Sequence, residues 1–384
     1  MANSNGWGDG SVNNSIGWGQ GANNSIGWGA SQLVSASGAT DIDGGNAPSN
    51  SVAPAITGTA QEGQTLTCST GTWSGSPTYT YQWKRNGSNI GSATNSTYTL
   101  VTADVGTSIK CTVTATNFVG SSTADSNTVT PTSSTDADAQ AFITAASITD
   151  PTQQSAINNL VVSLKGYSIW TKMKALYPFV GGTASQHKFN LKDPRDLDAA
   201  FRLVFNGGWT HSNTGSLPNG TNAYADTKFI PNSNTALNSY SQGFYSRTNI
   251  DSLTVDMGGV GSNGAYNMLF SRYSNQIYNV INSGVSYTNS ANTDSRGFYI
   301  GNRTASNVIK NYKNSSLLTT GSVASISNCN GNIWLGAFNN NGAGQYYTTR
   351  QYAFSYIGDG LTDTEAANLY TAVQAFQTTL SRNV

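Results

Sequence analysis

Charge is the scarcest commodity in this chain of 384 residues. Lys and Arg together number 19, as do Asp and Glu, so charged residues are 10% and the net charge is zero. Ordinary globular domains carry about 25%. Such a balance offers no basic field for nucleic acid and no polybasic patch for a membrane surface. No apolar run is long enough to span a bilayer, so membrane insertion is not expected. Histidine occurs twice, at His187 and His211, and cysteine three times. No His/Cys/Asp spacing suggests zinc. A Gly-x-x-x-x-Gly-Lys loop for nucleotide phosphates and a nucleophile-elbow motif are both missing. No cofactor and no metal are therefore expected. The opening Met1-Ala2-Asn3-Ser4-Asn5 has neither a basic region nor an apolar one, so it does not read as a Sec signal.

Gly, Ser, Thr and Asn fill the polar positions, and aromatics are plentiful, with 19 Tyr and 8 Trp. That mixture suits β-rich modules of extracellular type with many turns. The first thirty residues hold three Gly-Trp-Gly turns, centred on Trp7, Trp18 and Trp28. The last two lie in a ten-residue repeat with Ile16 and Ile26 at matching positions. So Gly- and Asn-rich a segment cannot bury its tryptophans against itself. Trp is the side chain that gains most from burial and is enriched at interface hot spots. Residues 1–47 are expected to be a docking arm whose tryptophans fill repeated pockets on another protein. The stretch 41–50 reads as its linker.

Short strands follow over 48–131. Leu66 and Cys68, then Tyr79, Tyr81 and Trp83, then Ile109, Cys111, Val113 and Ala115 alternate with period two, and Asn86-Gly87 signals a tight hairpin. Residues 132–178 change character and are expected to form a helical linker. Asp150-Pro151 is an N-cap with proline at the first helical position, and Ile157, Leu160, Val161 and Leu164 form one apolar stripe closed by Gly166. Ile169, Trp170, Met173 and Leu176 suggest a second short helix before Pro178. These helices could pack on the next domain or form a bundle about a symmetry axis. From 179 to 384 the pattern returns to strands, such as Leu253-x-Val255-x-Met257, Ile333–Leu335 and Tyr352–Ile357. Thr362 and Glu365 then form a capping box before a stripe of Ala366, Leu369, Tyr370 and Val373.

Cys68, Trp83 and Cys111 resemble the strand-B cysteine, core tryptophan and strand-F cysteine of an immunoglobulin-like domain, where an indole packs on a sulfur pair between two sheets. Ile109 stands where that family has its corner tyrosine. Whether Cys68 and Cys111 are bonded or remain a core sulfur pair depends on the redox compartment; Cys329 is expected to be a buried small hydrophobe. The segment 179–384 resembles a concanavalin A-like, laminin-G-type jelly roll. The resemblance rests on Val308–Asn314, on Ile333-Trp334-Leu335-Gly336, and on Phe354–Gly358 followed by Leu361-Thr362-Asp363-Thr364-Glu365; Ser315 replaces a hairpin glycine. The expected fold class is thus mainly β: an extended arm, an immunoglobulin-like sandwich, a helical linker and a jelly roll closed by a C-terminal helix.

The modular order and the Gly-Trp-Gly arm resemble bacteriophage head-fibre or tail-fibre proteins. That resemblance implies a structural virion protein on the particle surface, anchored to capsid or tail proteins by its arm, homotrimeric, and adhering to host-surface glycans. A secreted bacterial carbohydrate-binding protein is the alternative; a glycan-cleaving enzyme is a third reading. Retaining glycosidases need two carboxyls about 5–5.5 Å apart. Asp256 offers one acid with no glutamate beside it, and Asp193, Asp196 and Asp198 with Arg195 read as a solvated loop, so no hydrolysis is expected. Asp256 and Asp294 are too little to define a calcium site. Glycan-binding residues stay open: Trp209, Tyr245, Tyr273, Tyr346 and Tyr347 are candidates, each of which could equally be core.

Overall fold

The structure is a computed structural model that describes residues 45–384. The arm residues Trp7, Trp18, Trp28, Ile16 and Ile26 lie outside the described residues. The described residues divide into two compact units, 45–134 and 135–384.

In the first unit a three-stranded sheet (Ile56–Thr57, Thr65–Cys68, Thr97–Thr99) faces a four-stranded one (Ser88–Asn89, Thr78–Arg85, Ile109–Thr116, Ser121–Asp125). Asn86 and Gly87 both take positive φ, 48° and 83°, as the tight hairpin requires. Trp83 is wholly buried opposite Cys111, and its indole N–H donates to the Asn95 carbonyl at 2.9 Å. Cys68 and Cys111 are separate buried thiols within hydrogen-bonding reach of each other. That shared hydrogen bond, and then burial, push the Cys111 thiol up. Ile109 fills the corner-tyrosine position as a fully buried apolar residue. The polar anchor is Asp104 instead: its carboxylate accepts from Arg85 Nε (2.7 Å), the Tyr98 hydroxyl (2.9 Å) and the Val101 N–H (2.8 Å).

The second unit is a two-sheet jelly roll. Its eight-stranded sheet runs Trp209–Ser212, Gly215–Pro218, Tyr352–Gly358, Tyr240–Ser246, Gly297–Ala305, Val308–Lys313, Ser316–Ser322, with Met173–Tyr177 also paired to Tyr352–Gly358. Its nine-stranded sheet runs Val204–Asn206, Tyr224–Asp226, Trp334–Leu335, Met257–Val260, Tyr266–Tyr273, Gln276–Ser283, Thr288–Ala291, with Phe338–Asn340 and Ala343–Gln345 alongside. Neighbours distant in sequence are the crossovers of a jelly roll. Tyr240, Phe244, Tyr299, Tyr352, Met257, Leu269, Ile277 and Leu335 fill the space between the sheets.

The 132–178 segment is not a linker. Helices Ala137–Ala145 and Pro151–Gly166 belong to the second unit and, with the C-terminal helix Asp363–Thr379, cover the outer face of the eight-stranded sheet. Leu160, Leu164, Leu369, Val373 and Phe376 pack there with Phe298, Phe354 and Tyr356. The Asp150 cap bonds the Gln153 N–H at 2.9 Å, and the Thr362–Glu365 box closes in both directions. The second short helix is a strand, Met173–Tyr177, after a single tight turn at Trp170–Lys172. A bulge between Met173 and Ala175 puts Met173 and Leu176 on one face three residues apart, which mimics helical spacing. Likewise the Leu253–Met257 alternation becomes a strand only from Met257, and Leu253 is 46% exposed. Asn314 itself adopts the left-handed conformation (φ 55°) and its side chain takes the Phe298 N–H, so the hairpin forms with Ser315.

Candidate functional site

The strand Tyr266–Tyr273 alternates as far as Ser271. Asn267, Leu269 and Ser271 turn inward, while Tyr266, Met268 and Phe270 stand on the outer side. Register carries the outer side across the sheet, with Met268 opposite Gly258 and Phe270 opposite Tyr278. A bulge between Phe270 and Tyr273 swings Tyr273 onto the same side, 6.0 Å from the Tyr278 ring. Tyr278 also meets Phe270 edge-on at 5.9 Å and Tyr287 at 5.3 Å. Tyr287 is 54% exposed.

A second group of rings lies at the other end of the strand. Tyr266 stacks on Phe338 at 5.9 Å and 5°, and Tyr346 stands 6.5 Å from Phe338. Ala225 and Leu335 enter the core, so Tyr224 and Trp334 turn outward, where they stack at 3.7 Å and 11°. The Trp334 indole N–H is buried without a hydrogen-bond partner. Among the described residues no helix joins the cluster of Val255, Val260 and Phe338 beneath these rings. The outer face of the nine-stranded sheet is thus a half-buried aromatic surface.

That surface is almost free of charge. The nine strands contain two charged residues, Asp226 and Arg272. Asp226 lies 3.1 Å from Lys228 Nζ. Arg272 lies 3.4 Å from Asp251 and donates to the side-chain oxygens of Asn249 (2.9 Å) and Asn275 (2.6 Å). Burial, then the neighbouring Tyr287 and Tyr273, hold the Tyr278 phenol above its ordinary range, so it stays a neutral donor and acceptor.

Tyr273 and Tyr346, two of the five aromatic candidates, stand on this face. Trp209 is half-buried against Phe205, His211 and Tyr352 and donates to the Asn206 carbonyl at 3.1 Å. Tyr245 is fully buried, its hydroxyl held by Gln374 and the Val384 N–H. Tyr347 is half-buried against Gly344. Tyr266, Phe270, Tyr278 and Tyr287 were not singled out from sequence. Their alternation was readable, but nothing local says which side of a strand stays open.

The two histidines meet. His187 Nδ1 lies 2.7 Å from Ser216 Oγ and 3.0 Å from His211 Nδ1, and His211 Nδ1 lies 3.0 Å from the same hydroxyl. The Gly182 N–H donates to His187 Nε2 at 3.3 Å, which leaves the proton on Nδ1. Burial, with His211 and Arg382 nearby, pushes His187 down to about 3. Ser216 is wholly buried and no carboxylate is among these partners, so the trio is an interior network at a sheet edge. Asp256 is wholly buried and ion-paired with Arg350 at 3.1 Å, while Ser271 supplies two hydrogen bonds. Asp193, Asp196 and Asp198 are paired with Arg195, Lys188 and Arg202. Asp294 is paired with Arg296 at 2.8 Å. Cys329 is buried, which pushes its thiol up to about 11.

Fold and face together define a mainly β protein, an immunoglobulin-like sandwich joined to a two-sheet jelly roll with helices on only one of its sheets among the described residues. No family model matches the sequence, and no curated protein is significantly similar to it. Among solved structures, the chain is similar to domain 4 of AbnA, a GH43 extracellular arabinanase from Geobacillus stearothermophilus in complex with arabinotriose. Identity there is 12%, covering 52% of this chain and 98% of that one, with TM-score 0.36. It is similar to the CBM40 of the Ruminococcus gnavus IT-sialidase bound to α2,3-sialyllactose at 17% identity, covering 34% and 82%, TM-score 0.29. It is also similar to the botulinum neurotoxin serotype D binding domain at 9% identity, covering 53% and 52%, TM-score 0.37.

Proposed function

We propose that the chain is an adhesion subunit whose second unit binds glycans through the aromatic face of the nine-stranded sheet. The observation that carries this reading is the face itself: half-buried phenol and phenyl rings on a sheet over which no helix packs among the described residues. Sugar rings present apolar C–H faces and polar edges, and such a surface answers both. The immunoglobulin-like unit serves as a spacer, and the Gly-Trp-Gly arm docks on a capsid or tail protein of a bacteriophage. The subunit is then a homotrimeric head- or tail-fibre component on the particle surface, with no catalytic role.

A glycan array probed with the full chain tests the adhesion reading. Selective retention that Tyr278→Ala weakens is expected, and an array with no retained glycan sinks it. Deleting residues 1–30 tests the docking reading: the truncated protein should fold and be missing from particles, and normal incorporation would overturn it. Capsid and portal genes nearby would favour the virion assignment, whereas polysaccharide-utilisation genes would favour the secreted carbohydrate-binding protein.

A further inference from the structure

We infer that the ligand of the aromatic face is an extended, uncharged oligosaccharide segment rather than a single terminal acidic sugar. This rests on the glycan-binding reading above. Two features of the face decide it, one of length and one of charge.

The rings form two groups on a common strand. Tyr266, with Phe338 and Tyr346, holds one end; Phe270, with Tyr278 and Tyr287, holds the other. Tyr266 and Phe270 are four residues apart, which on a strand is about 13 Å. A single sugar ring can stack on one group and leave the other in water. A chain of several sugars reaches both, and the half-buried Met268 gives an apolar floor between them. The second ring group then adds binding without a second ordering cost, the arithmetic of linked sites.

A carboxylated sugar needs a cation with free donors, most often an arginine fork. The nine strands supply one cation, Arg272, and it is occupied. Its Nη1 and Nη2 donate to Asn249 and Asn275, its buried Nε lies 3.4 Å from Asp251 without a hydrogen bond, and its side chain is 17% exposed. Recruiting it would disturb both hydrogen bonds and bring a like charge to Asp251. The other charge in the strands, Asp226, lies 3.1 Å from Lys228 Nζ, so the end beside Tyr224 and Trp334 presents an ion pair rather than a lone cation. The donors that remain on the named rings are neutral phenols, suited to hydroxyl-rich, uncharged sugars.

The test uses the full chain in calorimetric titrations against linear cello-, manno- and xylo-oligosaccharides of increasing length, and against sialylated and uronic acid oligosaccharides. Tyr266→Ala, Tyr278→Ala and the double variant are measured beside wild type. Near-ultraviolet circular dichroism and melting temperature show that each variant is folded. Affinity for a neutral series should rise with chain length and then level off. Each single variant should weaken the long ligand roughly tenfold, as expected of hot-spot aromatics. The shortest ligand should respond to only one of the two. Tighter binding of an acidic sugar through the same rings overturns the inference and keeps the glycan reading. So does affinity independent of length. If no glycan, neutral or acidic, binds wild type, both fall together.

Discussion

The two sheets of the second unit are built from similar strands and meet different fates. Tyr240–Ser246 and Tyr352–Gly358 are buried at every position, because the partner sheet lies on one side and three helices on the other. Tyr266–Tyr273 is buried only at alternate positions until its exposed end. Both kinds of strand carry aromatics on both sides. In the covered sheet Phe354 and Tyr356 are core; in the other sheet Tyr266 and Phe270 are half-buried. An aromatic residue in a β-sandwich therefore means packing or recognition according to what lies above it, and only the helices make the difference here.

The comparison can be broken by experiment. The largest effect should come from Phe354→Ala, which removes a ring wedged between Phe298 and Phe376 beneath the helices. Loss of about 3–5 kcal/mol in denaturant unfolding is expected. A cost below about 1 kcal/mol would mean that the helices do not cover this sheet as described.

Acid should act next, at the edge of the same sheet. His187 is held neutral down to about 3 in the fold, while in the unfolded chain it titrates near its ordinary 6.5. Below 6.5 the unfolded chain takes up the proton and the folded one does not. Stability should then fall by about 1.4 kcal/mol for each pH unit from 6.5 toward 3. His211 is also lowered by burial and acts in the same direction. Midpoints of unfolding followed through this window should flatten in His187→Gln, and an unchanged slope would contradict the buried-network description.

Thr362→Ala removes one half of the box that starts the covering helix. A loss of about 1 kcal/mol is expected in the same unfolding measurement. The smallest effect on stability belongs to the open sheet. Tyr287→Ala, at 54% exposure, should change stability by no more than about 0.5 kcal/mol. Glycan retention should nonetheless drop, so stability and binding separate on this face as they cannot on the other. A large destabilisation would show Tyr287 to be core.

Much of the fold could be read from local rules. Asp150-Pro151 and Thr362-x-x-Glu365 mark helix starts because capping needs only a few neighbouring residues. Cys68, Trp83 and Cys111 carry the resemblance to an immunoglobulin-like core, and all three are buried in one core cluster. Readings failed where a bulge changed the period, as at Met173–Leu176, and where a partner outranked local pattern, as at Leu253. The candidate site was half legible: Tyr273 and Tyr346 were among the aromatics considered, and Tyr266, Phe270, Tyr278 and Tyr287 were not.

The sequence by itself determined most strands, the caps, the hairpin turns and the near-absence of charge, since each depends on residues close together in the chain. Tertiary structure alone decided that, among the described residues, helices from both ends of the second unit cover one sheet and leave the outer face of the other half-buried. The reason is that exposure of a strand face is a property of distant segments. No period in Tyr266–Tyr273 encodes whether residues 137–166 and 363–379 will pack on that strand or on its neighbours across the sandwich.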